Sequence, residues 1–184
     1  MVQITAFLGA IALLPSSLRV LATPTPGDCG QDYPTPISKR TAQEVIAQLN
    51  LTANDEKGYY IQTFQDPGVV PGTNRSLSTA IYYLLEGSEG DSYWHKIDAV
   101  EVWHHYAGAP LTLSLSHDDG TPVRVVTLGP DVFAGQQPQY AIERWEWQSA
   151  RSLGDWTLVG TTVAPGFIES GSVIASPDWQ PNGA

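Results

Sequence analysis

Three of the four histidines fall in one block, Tyr93-Trp94-His95-Lys96-Ile97-Asp98-Ala99-Val100-Glu101-Val102-Trp103-His104-His105-Tyr106-Ala107-Gly108. Histidine is the usual side-chain base near neutral pH. A carboxylate beside it can orient it, exchange a proton with it, or join it around a metal. If the second half of the block is a strand, alternation puts Glu101, Trp103 and His105 on one face and Val102, His104 and Tyr106 on the other. The first set is an acid/base or metal-binding group if its face lines a cavity. The alternative is a solvated histidine on one face and a buried, hydrogen-bonded histidine on the other.

The elements that must position this block read as strands. β-rich runs cover Tyr59 to Phe64, Ser78 to Leu85, Tyr93 to Ile97, Val100 to Tyr106, Leu111 to Ser116, Val123 to Leu128, Gln139 to Ile142, Trp145 to Ala150 and Trp156 to Val163. Turn signals such as Asp66-Pro67-Gly68, Asp118-Asp119-Gly120 and Gly129-Pro130 separate them. Short strands at this spacing predict an all-β sandwich or barrel. One helix precedes them. Thr41-Ala42-Gln43-Glu44 is a capping box, and Val45, Ile46 and Leu49 give about two turns with one apolar face. The 17 glycines and 14 prolines in 184 residues argue against a helical bundle. With 9 Lys+Arg against 19 Asp+Glu, the net charge of −10 argues against a nucleic-acid or anionic-membrane partner. The single cysteine, Cys29, excludes an internal disulfide framework and multi-cysteine metal sites.

The amino-terminal region reads as a secretory leader. Ile4 to Leu14 is an uncharged apolar run too short to span a bilayer, Pro15 ends it, and Val20-Leu21-Ala22 offers cleavage after Ala22. Residues 1–22 are therefore expected to be a signal peptide, and 23–40 a Pro-rich extended segment that the dibasic Lys39-Arg40 can release. A domain over 41–176 and a tail over 177–184 follow. The sequons Asn50-Leu51-Thr52 and Asn74-Arg75-Ser76 fit a secreted glycoprotein with acceptors at Asn50 and Asn74.

On these residues the chain resembles the cupin superfamily. Glu101 and Gly108 have the spacing of the first cupin motif, and His95 falls at its first histidine. The closer resemblance is to a subfamily of largely uncharacterised bacterial and fungal cupins. The residues that carry it are Ser78-Thr79-Ala80-Ile81-Tyr82-Tyr83-Leu84-Leu85, His95-Lys96-Ile97, Glu101 through Leu111, Pro138-Gln139, Trp147-Gln148-Ser149-Ala150, and Leu158 through Phe167. An early E-G-G-Y-Y-R-E-T-Y pattern corresponds to Glu56-Lys57-Gly58-Tyr59-Tyr60-Ile61-Gln62-Thr63-Phe64, with the arginine replaced.

The resemblance implies a single jelly-roll β-barrel with a short N-terminal helix, usually dimeric, with a small-molecule pocket in the barrel. It does not imply one reaction, because cupins host isomerases, epimerases, cyclases, dioxygenases and plain binders. The departures weigh against an ordinary metal centre. Ile97 stands at the second histidine position and Gln148 at the last, so a metal would have to use His95, Glu101 and Gln148, and no cofactor is expected. The expected function is a secreted, metal-independent acid/base isomerisation, epimerisation or cyclisation of a small carbonyl, sugar or polyketide/terpenoid-like substrate, with no membrane association once the leader is removed. His95, Glu101 and His105 are the expected catalytic residues, and Tyr60, Tyr82, Trp103, Tyr106, Trp147 and Gln148 the expected substrate-binding wall. The alternatives are a non-catalytic small-molecule binder and a metal-dependent oxygenase.

Overall fold

The computed structural model describes residues 34 to 184. The leader, Cys29 and most of the Pro-rich segment lie outside the described residues. Among the described residues the one α-helix, α1 (Ala42–Leu49), is held at its start by the reciprocal box read from the sequence. Thr41 Oγ1 accepts from the Glu44 amide, and the Glu44 carboxylate accepts from the Thr41 amide at 2.9 Å. Asn50 ends it in the left-handed conformation, with φ 55°. Among the described residues no helix is long and apolar enough to cross a membrane.

Eleven strands follow: β1 (Thr52–Ala53), β2 (Tyr59–Gln65), β3 (Thr79–Glu86), β4 (His95–Ile97), β5 (Val100–Gly108), β6 (Leu111–Ser116), β7 (Arg124–Leu128), β8 (Gln139–Ile142), β9 (Trp147–Ser152), β10 (Trp156–Ala164) and β11 (Ser172–Ile174). They form two antiparallel sheets, ordered β1-β2-β3-β10-β5-β8 and β11-β4-β9-β6-β7. Between the sheets lies a core of Tyr83, Leu85, Trp103, Leu111, Leu113, Leu115, Leu128, Ile142, Ala150 and Val159, all buried. The outer face of the six-stranded sheet is covered by α1. Ala42 and Val45 pack there on Leu84, Ala107, Trp156 and Leu158, and Trp156 Nε1 donates to the Arg40 carbonyl at 3.0 Å.

The strand readings hold closely, and the differences have local causes. The run read as starting at Trp145 begins at Trp147, because Trp145 occupies the left-handed region (φ 64°) in a turn whose amide donates to Ile97 O. β1 and β11 are two and three residues long, too short to show alternation. The segment read as a tail folds back on the five-stranded sheet. Trp179 stacks at 4.2 Å on Trp147 and meets Trp94 edge-on, and Trp94 Nε1 donates to Gln180 Oε1. Arg75 ties three loops together through a bidentate pair with Asp98 (2.7 and 2.8 Å) and bonds to the Pro165 and Gly166 carbonyls.

Candidate functional site inside the barrel

Register decides which side chains enter the barrel. On β5, Glu101 pairs with Val163 and Trp103 with Thr161, which places both on the inner face; each is buried. β4 and β9 pair His95 with Gln148, and both point inward and are buried. Gln148 Nε2 donates to Glu101 Oε2 at 2.7 Å across the gap between the two sheets. His95, Glu101 and Gln148, the residues a metal would have to use in the sequence reading, thus share the interior, with Trp103 next to Glu101 on the same face.

The residue that sequence reasoning missed is Glu56. It lies in the β1–β2 turn, and its Oε2 stands 3.5 Å from His95 Nε2. The turn is fixed on several sides. Lys57 and Gly58 both have positive φ (78° and 71°), and a Cβ at Gly58 would meet the Leu84 carbonyl at 2.5 Å. The Tyr83 hydroxyl donates to Lys57 O, the Tyr93 amide donates to Glu56 O, and Lys57 Nζ donates to the Glu89 and Asp91 carbonyls. Glu56 heads the early pattern quoted above, so its signal was present, but a turn carries no periodicity to aim its side chain.

The electrostatics follow from burial. Desolvation raises the Glu56 carboxyl above the ordinary glutamate range; the His95 charge opposes this, and the carboxylates of Glu101 and Asp55 add to it. Burial, with Glu56 and Glu101 nearby, pushes the Tyr83 phenol well above the ordinary tyrosine range, so it remains a donor. His95 Nδ1 lies 3.1 Å from Tyr93 O. A carbonyl only accepts, so Nδ1 carries the proton and Nε2 presents its lone pair toward Glu56 in the neutral ring.

The donor set does not fit a catalytic metal. Glu101 Oε2 is engaged by the Gln148 amide, His95 Nε2 faces Glu56, and Gln148 offers only an amide oxygen. Among the described residues no three His, Cys, Asp or Glu side chains are grouped to hold a metal ion.

The other expected site residues are placed elsewhere. His105, opposite Val159, is on the inner face, but four residues beyond Glu101 on the same strand, about 13 Å along it. Its Nε2 donates to Ala109 O at 3.1 Å, so it does not join the group. Tyr60 pairs with Tyr83 and shares the inner face at the exposed side of β2. Three residues expected in the substrate-binding wall lie outside the barrel interior. Tyr82 lies on the outer face with the α1 cluster. Tyr106, at the β-bulge opposite Leu158 and Val159, lies outside over Gly160, edge-on to Tyr82 and stacked with His104. Trp147 is on the outer face of β9, between Trp179 and the Lys96 ammonium, because its neighbour Gln148 points inward.

Comparison with known proteins agrees with this architecture. Among curated proteins, none matches the chain. A hypothetical protein from Leishmania major is 26% identical over 74% of this chain and 88% of its own, with a TM-score of 0.68. A protein from Shewanella oneidensis is 28% identical over 74% of this chain and 85% of its own, also with a TM-score of 0.68. The capsular polysaccharide assembling protein CapF from Staphylococcus aureus shares the fold alone, at 9% identity and a TM-score of 0.50 over 67% of this chain and 33% of its own. The model of the family described as cupin superfamily, DUF985, matches residues 43–174, and the chain belongs to that family.

Proposed function

We propose that this cupin catalyses a metal-independent proton transfer on a small carbonyl or sugar-like substrate, as an isomerase, epimerase or cyclase. The observation that carries the reading is the Glu56–His95 pair. A carboxyl raised by burial faces the lone-pair nitrogen of a histidine whose other nitrogen is fixed by Tyr93 O. Such a pair holds one proton between two groups, so it can donate to an oxygen and accept from a carbon within one site. Glu101, held by the Gln148 amide, puts a second carboxyl group in the same interior.

Catalysis is tested by solvent exchange. In deuterated water the protein should accelerate exchange of carbon-bound hydrogens next to the carbonyl in at least one of a panel of small aldehydes, ketones and unphosphorylated sugars. His95→Gln should lower that rate by about 10²-fold or more with the melting temperature kept, the usual contribution of a general base. A panel with no accelerated exchange refutes the reading. Secretion is part of the same proposal. Asn50 and Asn74 are both exposed, as acceptor asparagines must be. Removing N-glycans from the protein made in a eukaryotic secretory host should lower its mass, and an unchanged mass refutes this part.

A further inference from the structure

Buried polar atoms in folded proteins nearly always have a partner, and an exception calls for an explanation. Among the described residues two buried side-chain atoms have none, Trp103 Nε1 and Gln148 Oε1. Both residues belong to the barrel site. Trp103 is two residues beyond Glu101 on the same face of β5, about 7 Å along the strand. Gln148 sits opposite His95 and spends its amide nitrogen on Glu101. Each of the two residues is only 1% exposed.

The two unmet demands are of opposite kind. An indole nitrogen only donates, so Trp103 requires an acceptor. Gln148 must turn its nitrogen to the Glu101 carboxylate, so its oxygen is left as an acceptor that requires a donor. A ketone answers only the first. A hydroxyl can accept or donate and so can answer either, but the proton transfer proposed above needs a carbonyl, which leaves a hydroxyl for Gln148. A carboxylate or phosphate would answer the first but would face Glu56 and Glu101. The one arginine on the inner face of the second sheet, Arg124, is already bonded to Tyr140 and Glu146 and cannot compensate that charge.

We propose, resting on the acid/base reading above, that the barrel takes an uncharged α-hydroxycarbonyl compound, its carbonyl oxygen accepting from Trp103 Nε1–H and its hydroxyl donating to Gln148 Oε1. The carbon between these two groups is then the one offered to Glu56 and His95. His95 Nε2 takes the proton from the hydroxyl-bearing carbon. The C–H electron pair becomes the C=C bond of an enediol, and the carbonyl oxygen takes the proton held by Glu56. His95 then returns its proton to the neighbouring carbon, the new C–H bond being made from the enediol C=C pair, while the original hydroxyl gives its O–H proton to the Glu56 carboxylate and becomes the carbonyl. The isomeric hydroxycarbonyl forms, both groups regain their starting protonation, and nothing external is oxidised or reduced. Trp103 and Gln148 thus set specificity for a neighbouring carbonyl and hydroxyl.

The experiment compares hydroxyacetone with butanone, which lacks the hydroxyl, on the full-length protein in deuterated water, followed by proton NMR. The expected result is exchange of hydroxyacetone at least 10-fold above the protein-free rate, with butanone at that background. Trp103→Phe should reduce the hydroxyacetone rate at least 10-fold, and in the unaltered protein hydroxyacetone should shift an indole N–H resonance that the variant lacks. Equal acceleration of both ketones overturns this proposal and leaves the acid/base reading standing. Exchange of some other carbonyl but not of hydroxyacetone does the same. No exchange with any carbonyl overturns both. If Trp103→Phe does not fold, the two-ketone comparison on the unaltered protein decides alone.

Discussion

Replacing Glu56 by glutamine should make the protein more stable at alkaline pH and less active. Glutamine keeps the shape of the side chain and removes its titration. Glu56 is 16% exposed, and burial raises its carboxyl above the ordinary range despite the opposing His95 charge. The folded protein therefore holds this proton more tightly than the unfolded chain does. The stability that the neutral acid contributes is complete below the ordinary carboxylate value and is lost as pH rises through the raised one. Each unit of that rise costs about 1.4 kcal/mol once the group is ionised. In a domain of this size 1 kcal/mol moves Tm by about 2–4 °C. Glu56→Gln and the unaltered protein should thus melt together at pH 4 and separate at pH 8, the variant higher, when followed by circular dichroism. A Tm difference that does not change with pH, or a gain in the unaltered protein as pH rises, would refute the argument that burial dominates at Glu56. The same variant should lose carbonyl exchange, because the shared proton is gone; a group retained at a cost in stability is expected where function needs it.

Leu113→Ala, at a fully buried position in the middle of the leucine row on β6, should cost about 2–5 kcal/mol, read as a lower urea midpoint with unchanged slope. Gly58→Ala forces a side chain into the left-handed region and against Leu84 O; it should cost about 1–3 kcal/mol and slow exchange beyond that loss, because it moves the Glu56 turn. Arg75→Ala leaves the Asp98 carboxylate and two carbonyls without their partner and should cost about 3 kcal/mol, with Arg75→Lys recovering only part because it cannot bond in bidentate fashion. Tyr106→Ala, on the outer face, should leave the exchange rate within about two-fold of the unaltered protein; a loss approaching the 10²-fold expected of a general base would return Tyr106 to the site.

Where one face of a strand is dry and the other wet, its side-chain directions could be read directly from the chain. β6 is the clear case. Leu111, Leu113 and Leu115 alternate with Thr112 and Ser114, and the strand spans the expected residues. β3 offers no such contrast, because α1 covers its outer face and both faces are apolar; Tyr82 and Tyr83 then look alike, although only Tyr83 enters the barrel. Trp147 was decidable on the sequence itself. The resemblance puts Gln148 at a position that faces inward, and a strand cannot turn adjacent residues the same way. Tyr106 also follows alternation from Glu101, and the bulge opposite Leu158 and Val159 keeps it outside. Glu56 differs in kind. It is 39 residues from His95 in sequence, on a turn whose direction is set by Gly58, Tyr83 and Lys57, so only the fold shows that the two meet. The members of the site interrupt a largely apolar interior with two carboxyls, an imidazole and an amide, paired as Glu56 with His95 and Glu101 with Gln148. Packing alone would favour apolar residues at these positions, since burying charge without full compensation is unfavourable. That, among the described residues, Trp103 and Gln148 each still lack a partner places an unmet hydrogen-bonding demand inside the barrel, which is the demand the proposed substrate would meet.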